Sequence, residues 1–404
     1  MSSLFRLRPR VFILALLQPL FLFAQTSDNG TYSLVGTQPG DQVGAQASLG
    51  NRGGYVVWQD SLIDQKGFGI AARRLNSSLV GEGEVFRVNV STPESQINPR
   101  LALLKNGGCV FVWQGGKIGA ENVFLRFRGS NGAWLTGDLF ANTYRKDSQV
   151  DPTVTCLNNG SVVVLWSSAG QDGSFMGVYG QRFSPAGGKL GAAFRVNQFT
   201  SFNQRNASVA ALPSGGFIAT WVSEQQRAAG GKDVYARLFT ADGRAVGNEF
   251  LVNTSSNQCS SPSVTSLPDG FAIAWQEFAA GTGDSSASDI VSRVFNLDGG
   301  ARSATLAVSA SPSSVNKAPA ISSAGQQLIV LWSNLTAGPA ERIYGRLLGS
   351  DNLPLGDPFP VSSGSLGRKL NPAVTADATG RLLAVWSEYV FGGPGFDLLG
   401  KILR

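Results

Sequence analysis

Short apolar or alternating stretches of four to eight residues recur along the chain, each ended by Gly, Asn, Asp or Pro. Phe217-Ile-Ala-Thr-Trp221 and Val162-Val-Val-Leu-Trp166 are continuous apolar runs. Val178-Tyr-Gly-Gln-Arg-Phe183 and Val234-Tyr-Ala-Arg-Leu-Phe239 are mixed, with a polar residue breaking the run. Branched and aromatic residues between such turn formers predict strands, and no window sustains a helical period.

The strands fall into a repeat. Trp58, Trp113, Trp166, Trp221, Trp275, Trp332 and Trp386 lie 55, 53, 55, 54, 57 and 54 residues apart, and Trp134 alone stands outside the series. A fixed period of this size means an array of one supersecondary unit. Each unit reads as four strands, here A to D. Strand A is built from small residues, as in Ser208-Val-Ala-Ala-Leu212 and Ser263-Val-Thr-Ser-Leu267. Strand B ends on the tryptophan, strand C carries Tyr and Phe, and strand D closes the unit, as in Phe194-Arg-Val-Asn197 and Phe250-Leu-Val-Asn253. Small side chains belong where strands crowd an axis, and large rings where twisted sheets diverge. Four strands repeated seven times predict an all-β fold, a seven-bladed β-propeller of four-stranded blades.

The termini predict closure of the ring. The seventh repeat stops at strand C, Leu398 to Leu403, and its missing strand D is supplied by Tyr32-Ser-Leu-Val35. From Asn89, Asn142 and Asn197 to the next tryptophan is 24 residues, and from Val35 it is 23, so the register agrees. An N-terminal strand at about 32–35 then completes the last blade and leaves no open sheet edge.

Residues Arg6, Arg8 and Arg10 precede an apolar run, Val11 to Leu17 and Leu20 to Ala24, that contains no acid. This predicts a signal peptide over residues 1–24 and a mature propeller over 25–404, secreted to the exterior or the periplasm. No later stretch is apolar enough to span a membrane. Without the first 24 residues the charge falls from +6 to +3, too mild a balance for a nucleic-acid footprint. Cys109, Cys156 and Cys259 are too few for a disulfide framework and read as small hydrophobes. The chain has no histidine, which removes the Ser-His-Asp and Cys-His systems and the commonest zinc ligand.

The third repeat, with Pro152-Thr-Val-Thr-Cys-Leu157, Val162 to Trp166, Gln171-Asp-Gly173, Val178 to Phe183 and Phe194 to Asn197, resembles the tandem repeats of large secreted bacterial surface proteins. The resemblance covers about residues 32–404. It implies a display or adhesion module and carries over no catalytic residue. The closure resembles that of WD40 propellers, without their signatures: Trp58 is followed by Gln59. The kelch glycine pair is displaced, and Ser168 to Phe175 fits a sialidase box only loosely.

Several positions stand out. Arg73, Arg126, Arg237, Arg293, Arg346 and Lys401 recur in strand C, with Gln181 in the third unit, and recurrence in nearly every unit marks a scaffold role. Two residues past the tryptophan the pattern breaks, and Asp60, Glu277 and Glu388 are acids there. The last B–C segment, Ser387 to Phe396, places Tyr389, Phe391 and Phe396 beside Glu388. Asp60, Glu277, Glu388, Tyr389, Phe391 and Phe396 are the candidate ligand-binding residues, on the edge where variable B–C loops emerge. No catalytic residue, cofactor or metal ligand is assigned. Gln171 to Ser174 and Asp284 to Asp289 offer oxygens to calcium but lack the spacing of a calcium loop and read as turns. The leading expectation is a secreted, monomeric, non-catalytic propeller that binds an extracellular glycan or protein. A carbohydrate-active propeller enzyme, hydrolase or lyase, is the alternative, and a purely structural module is a third.

Overall fold

The computed structural model describes residues 30–36, 38–91, 93–278, 287–310, 314–335, 340–364, 367–389 and 395–403. They form 28 strands and no helix. The strands make five four-stranded sheets and one eight-stranded sheet. The eight-stranded sheet is two successive four-strand units joined by a single parallel bridge, Ser288 to Val315. The join is local: Ser288 Oγ donates to Asn316 O (2.8 Å), and Asn316 Nδ2 donates back to Ser288 O (2.9 Å). Counting first strands, the described residues hold seven units.

Those first strands are Gln42–Gly50, Gln96–Leu103, Gln149–Cys156, Gln204–Ala211, Cys259–Leu267, Val315–Ala324 and Lys369–Ala376. Each packs against the next, and the last packs against the first. The apolar core follows the same ring. Its seven clusters each lie between two consecutive units, and one of them joins the last unit to the first. All seven repeat tryptophans are fully buried in these interfaces. Burying an indole contributes about 4–6 kcal/mol at about 25 cal/mol per Å², so the repeat spacing of tryptophan fixes the spacing of the blades.

The closing strand runs Thr31–Ser33, starting one residue before the expected Tyr32 and ending two before Val35, and pairs antiparallel with Phe396–Leu403. Leu34 leaves the ladder after one further bond, Leu34 N–H to Leu398 O (3.2 Å), and buries its side chain completely. Burial of an isobutyl group there outweighs extending the strand. Strands A and B are longer than the apolar runs suggest. Strand A of the fourth unit begins at Gln204 and strand B runs on to Glu224, past its tryptophan.

The five strand C arginines are inter-blade staples. Arg126 Nε donates to Thr136 O of its own blade (3.0 Å), and its Nη1 donates to Val88 O of the preceding blade (2.8 Å). Arg293 does the same with Ser303 O and Val252 O, and Arg346 with Gly356 O and Val308 O. In the first unit Arg73 reaches Leu34 O, so the closing segment is stapled as an ordinary strand D would be.

Because Leu34 sits on both the ladder and the core between last and first units, Leu34→Ala is expected to cost about 2–4 kcal/mol. Chemical denaturation with a fitted midpoint and slope measures it. Deletion through Val35 is expected to broaden the transition or cause aggregation, and an unchanged transition would refute closure by this segment.

Candidate functional site

Strands A and B are antiparallel, with Gln42 opposite Asp60, so every strand A starts at the edge where strand B ends. The B–C loops and D–A crossovers emerge at that edge, which holds Asp60, Glu277, Glu388, Tyr389 and Phe396. There the acids are already engaged. Trp58 Nε1 donates to Asp60 Oδ2 (3.1 Å), Trp275 to Glu277 Oε2 (3.4 Å) and Trp386 to Glu388 Oε2 (3.0 Å). Asp60 Oδ1 also accepts the N–H groups of Leu62 and Ile63, each at 3.0 Å. Glu277 accepts from Asn257 Nδ2 (2.9 Å), and Glu388 pairs with the buried ammonium of Lys369 (3.3 Å). Each acid is therefore bonded within its own blade.

In the second and third units, where the position two past the tryptophan is Gly115 or Ser168, strand A supplies the acceptor. Trp113 Nε1 donates to Gln96 Oε1 (2.9 Å) and Trp166 Nε1 to Gln149 Oε1 (3.2 Å). A Cβ at Gly115 would fall 2.0 Å from Gln96 Oε1 as it stands, so a side chain there requires the glutamine to shift. The pattern break at this position thus records two solutions to one problem, an acceptor for a buried indole N–H.

Tyr389 is 41% exposed and meets Phe396 edge-on, with ring centroids 5.4 Å apart. Phe396 is half-buried and its N–H donates to Asp41 Oδ1 (3.1 Å). Phe391 lies outside the described residues. Gln171 to Ser174 is a turn in which Ser174 N–H donates to Asp172 Oδ1 (3.2 Å). Of the second calcium candidate, residues 284–286 lie outside the described residues, and Asp289 Oδ1 accepts from Ser309 Oγ (2.9 Å). No cluster of three or more His, Cys, Asp or Glu is placed to hold a metal among the described residues.

A different set of residues converges on the axis. Each strand A carries a β-bulge near its start. The bulged residue is left-handed in all seven units: Gly44, Asn98, Asp151, Asn206, Ser261, Ala318 and Asn371, with φ between 51° and 67°. In five units proline follows, at 99, 152, 262, 319 and 372, where the bulge leaves no ladder bond to lose. Together these residues line a cavity of about 520 Å³ at the channel mouth, within the size of sites for small ligands.

The mouth is polar on one arc. Asn98 Nδ2 donates to Gln114 Oε1 (3.0 Å) and, at longer range, to Asp151 Oδ1 (3.4 Å). Asn206 Nδ2 lies 3.5 Å from Asp151 Oδ2, and Arg205 Nη1 donates to Asn206 Oδ1 (2.9 Å). Arg205 is held in turn by Glu224 (2.8 Å). Arg100 is half-buried in the same cavity and is its single cation, as Asp151 is its single carboxylate, among the described lining residues. Burial pushes the Asp151 carboxyl above its usual range, and Arg100 and Arg205 pull it partly back. Burial likewise lowers the Arg100 guanidinium, offset by Asp151. The seven-fold Asn/Asp/Ser/Gly position, 14 or 15 residues before each tryptophan and usually followed by proline, was the sequence signal for this ring.

Around the mouth, on the same edge, the loops expose Leu62, Ile118, Phe175, Phe202 and Tyr389. Phe202 holds φ at 60°, two residues before Gln204, where Gly40, Glu94, Asp147 and Gly367 stand in other units with similar φ. A large aromatic in this conformation is strained by about 1–2 kcal/mol.

No protein-family model and no curated protein sequence matches the chain. Solved structures match at the level of fold. A polysaccharide lyase of family PL25, an ulvan lyase bound to a glucuronate–sulfated rhamnose unit, superposes with a TM-score of 0.61 at 9% identity, covering 91% of this chain and 94% of that one. An α-L-arabinanase from Penicillium chrysogenum gives 0.51 at 14% identity over 76% and 93%. The propeller domain of the trilobed protease from Pyrococcus furiosus, which has an open-velcro topology, gives 0.52 at 8% identity over 91% and 97%. These likenesses make the fold a β-propeller.

Two measurements follow from this geometry. Asp60→Ala orphans the Trp58 indole and two backbone N–H groups, and is expected to cost about 2–4 kcal/mol in denaturation, against about 1 kcal/mol or less for Asp60→Asn. Asp151 is raised in the folded chain, so ionising it opposes folding: wild-type stability falls as pH rises from the unfolded carboxyl value through the raised folded one. Asp151→Asn removes that loss. Its melting temperature is expected to exceed the wild type at neutral pH and to converge on it in acid.

Proposed function

We propose that the protein engages a carbohydrate at the channel mouth, outside the cytoplasm, after export directed by residues 1–24. The observation that carries this reading is the Asn98–Asp151–Asn206 arc with Arg100 beside it. The Asp151 oxygens receive only long contacts from the two amides, at 3.4 and 3.5 Å, so a sugar hydroxyl can replace either with a shorter bond. Arg100 suits an acidic sugar. Phe175 and Tyr389, with the strained Phe202, supply exposed rings on the same edge for the apolar faces of pyranoses. The backbone strain at Phe202 makes sense where the ring serves recognition rather than folding.

Turnover is the second reading, favoured by the raised Asp151 carboxyl and by the carbohydrate-active enzymes of similar fold. Hydrolysis of a glycosidic bond ordinarily needs two carboxyl groups flanking the bond, and the described lining holds one. One carboxylate and one guanidinium suit β-elimination instead. Asp151 takes the C5 proton while Arg100 neutralises the uronate carboxylate, the C4–O bond then breaks, and the departing oxygen takes a proton from solvent water. The product is a 4,5-unsaturated uronate. Raised basicity at Asp151 helps the first of these steps.

Calorimetric titration with neutral and uronic-acid oligosaccharides, beside ultraviolet detection of unsaturated product, tests both. Saturable binding that Asp151→Asn and Arg100→Gln each weaken by at least tenfold, with no loss of melting temperature in either variant, supports the site. Product growth lost in Asp151→Asn establishes turnover. Binding that is absent, or untouched by both variants, overturns the proposal.

A further inference from the structure

A second cavity, of about 870 Å³, opens at the opposite edge, where the A–B turns of the first two units meet. Asn51, Arg52, Tyr55, Arg74, Lys105 and Asn106 are among its walls. Arg52 sits in the A–B turn of the first unit and is exposed, with no acceptor among the described residues. Lys105, in the equivalent turn of the second unit, is also exposed and reaches only Asn158 Oδ1 (3.3 Å). Arg74 pairs with Glu82 at 3.1 Å, and no acid lines the cavity among the described residues.

Behind the Tyr55 wall lies a further cation. The Arg128 guanidinium carbon is 5.9 Å from the Tyr55 ring and 3.8 Å from Phe86, with Trp134 at 5.1 Å. Its Nε donates to Gly132 O (2.8 Å), while its Nη1 is buried with no acceptor among the described residues. Burial among these rings lowers the Arg128 guanidinium, and Arg74 lowers it further by repulsion. Two turns and two strands thus hold four cations together against one acid. Unlike the strand C staples, Arg52 bridges no blades among the described residues, and Lys105 reaches the third unit only through the exposed contact to Asn158. Like charges held close cost stability unless an anion joins them.

We propose that this cavity is a binding site for a sulfate or phosphate group, held between Arg52, Arg74 and Lys105. It lies at the far edge from the carbohydrate site and stands independently of it. A compact, doubly charged oxyanion matches three cationic donors lining one cavity, and the adjacent Asn51 and Asn106 amides add neutral ones. The group is carried either by a sulfated glycan or by a free inorganic anion.

The test uses the full chain, with inorganic sulfate, inorganic phosphate and a sulfated oligosaccharide as separate probes, titrated at low and physiological ionic strength. Saturable binding weakened at least tenfold by Arg52→Ala with Lys105→Ala is expected. These side chains are exposed, so folding is unaffected, and circular dichroism checks it. Asp151→Asn is expected to leave the affinity for inorganic sulfate and phosphate unchanged, which separates this site from the channel mouth. Tighter binding of the oligosaccharide identifies a glycan as the source, and equal binding identifies a free anion; both support the site. No saturable binding by any probe, or an affinity unchanged in the double variant, overturns it.

Discussion

The structure depends on one requirement: an indole buried between blades must find an acceptor for its N–H. Each tryptophan closes a strand B against the next unit and contributes several kcal/mol by burial, but an unpaired N–H would return about 1–3 kcal/mol of that. The chain meets the need in two ways, and the choice shapes the whole loop edge. In the second and third units the glutamine at the start of strand A, Gln96 or Gln149, bonds the indole. In the first, fifth and last units an acid two residues past the tryptophan does so. In the fourth unit Gln204 Oε1 accepts from Asn197 instead, and the Trp221 N–H is left buried without a partner among the described residues.

The polar arc of the channel mouth falls where the glutamine solution dominates. The end of strand B also supports the strand A of the following unit. Gln59, Gln114 and Ser167, each immediately after a tryptophan, cap the bulge amides of Asn98, Asp151 and Asn206. This fixes the left-handed residues so that Asn98, Asp151 and Asn206 converge around Asp151. On the remaining arc the bulge residues are Ser261, Ala318, Asn371 and Gly44, and the cavity wall there is mostly small side chains. Scaffold chemistry and the candidate site are therefore built from adjacent positions of the same strands, which gives a seven-fold frame a one-sided mouth.

The two edges differ in chemistry. One has a channel mouth with a balanced Arg100–Asp151 pair, rimmed by exposed rings. The other has an acid-free cavity between two turns, walled by cations. A propeller gives both at little cost to its core, because turns and bulges lie outside the packed interfaces between blades.

The sequence by itself determined the repeat, the strand order and the ring closure, because each rests on local regularities: a buried tryptophan every 53 to 57 residues, small residues before it, and a register that carries across the termini. The scaffold role of the strand C arginines was legible from recurrence alone. Strand limits were less so, since the polar starts of strand A, such as Gln204, look like loop until their side chains are seen buried. For Asp60, Glu277 and Glu388 the sequence marked the position, but only the tertiary structure showed the indole beside each carboxylate. The bulge ring was written in the chain as Asn-Pro, Asp-Pro and Ser-Pro dipeptides, yet nothing local says that seven such turns face one axis. That convergence, and the proton affinity of Asp151 that follows from it, belongs to the tertiary structure: burial and the fields of Arg100 and Arg205 arise between residues 51 to 54 positions apart, brought together only when the ring closes.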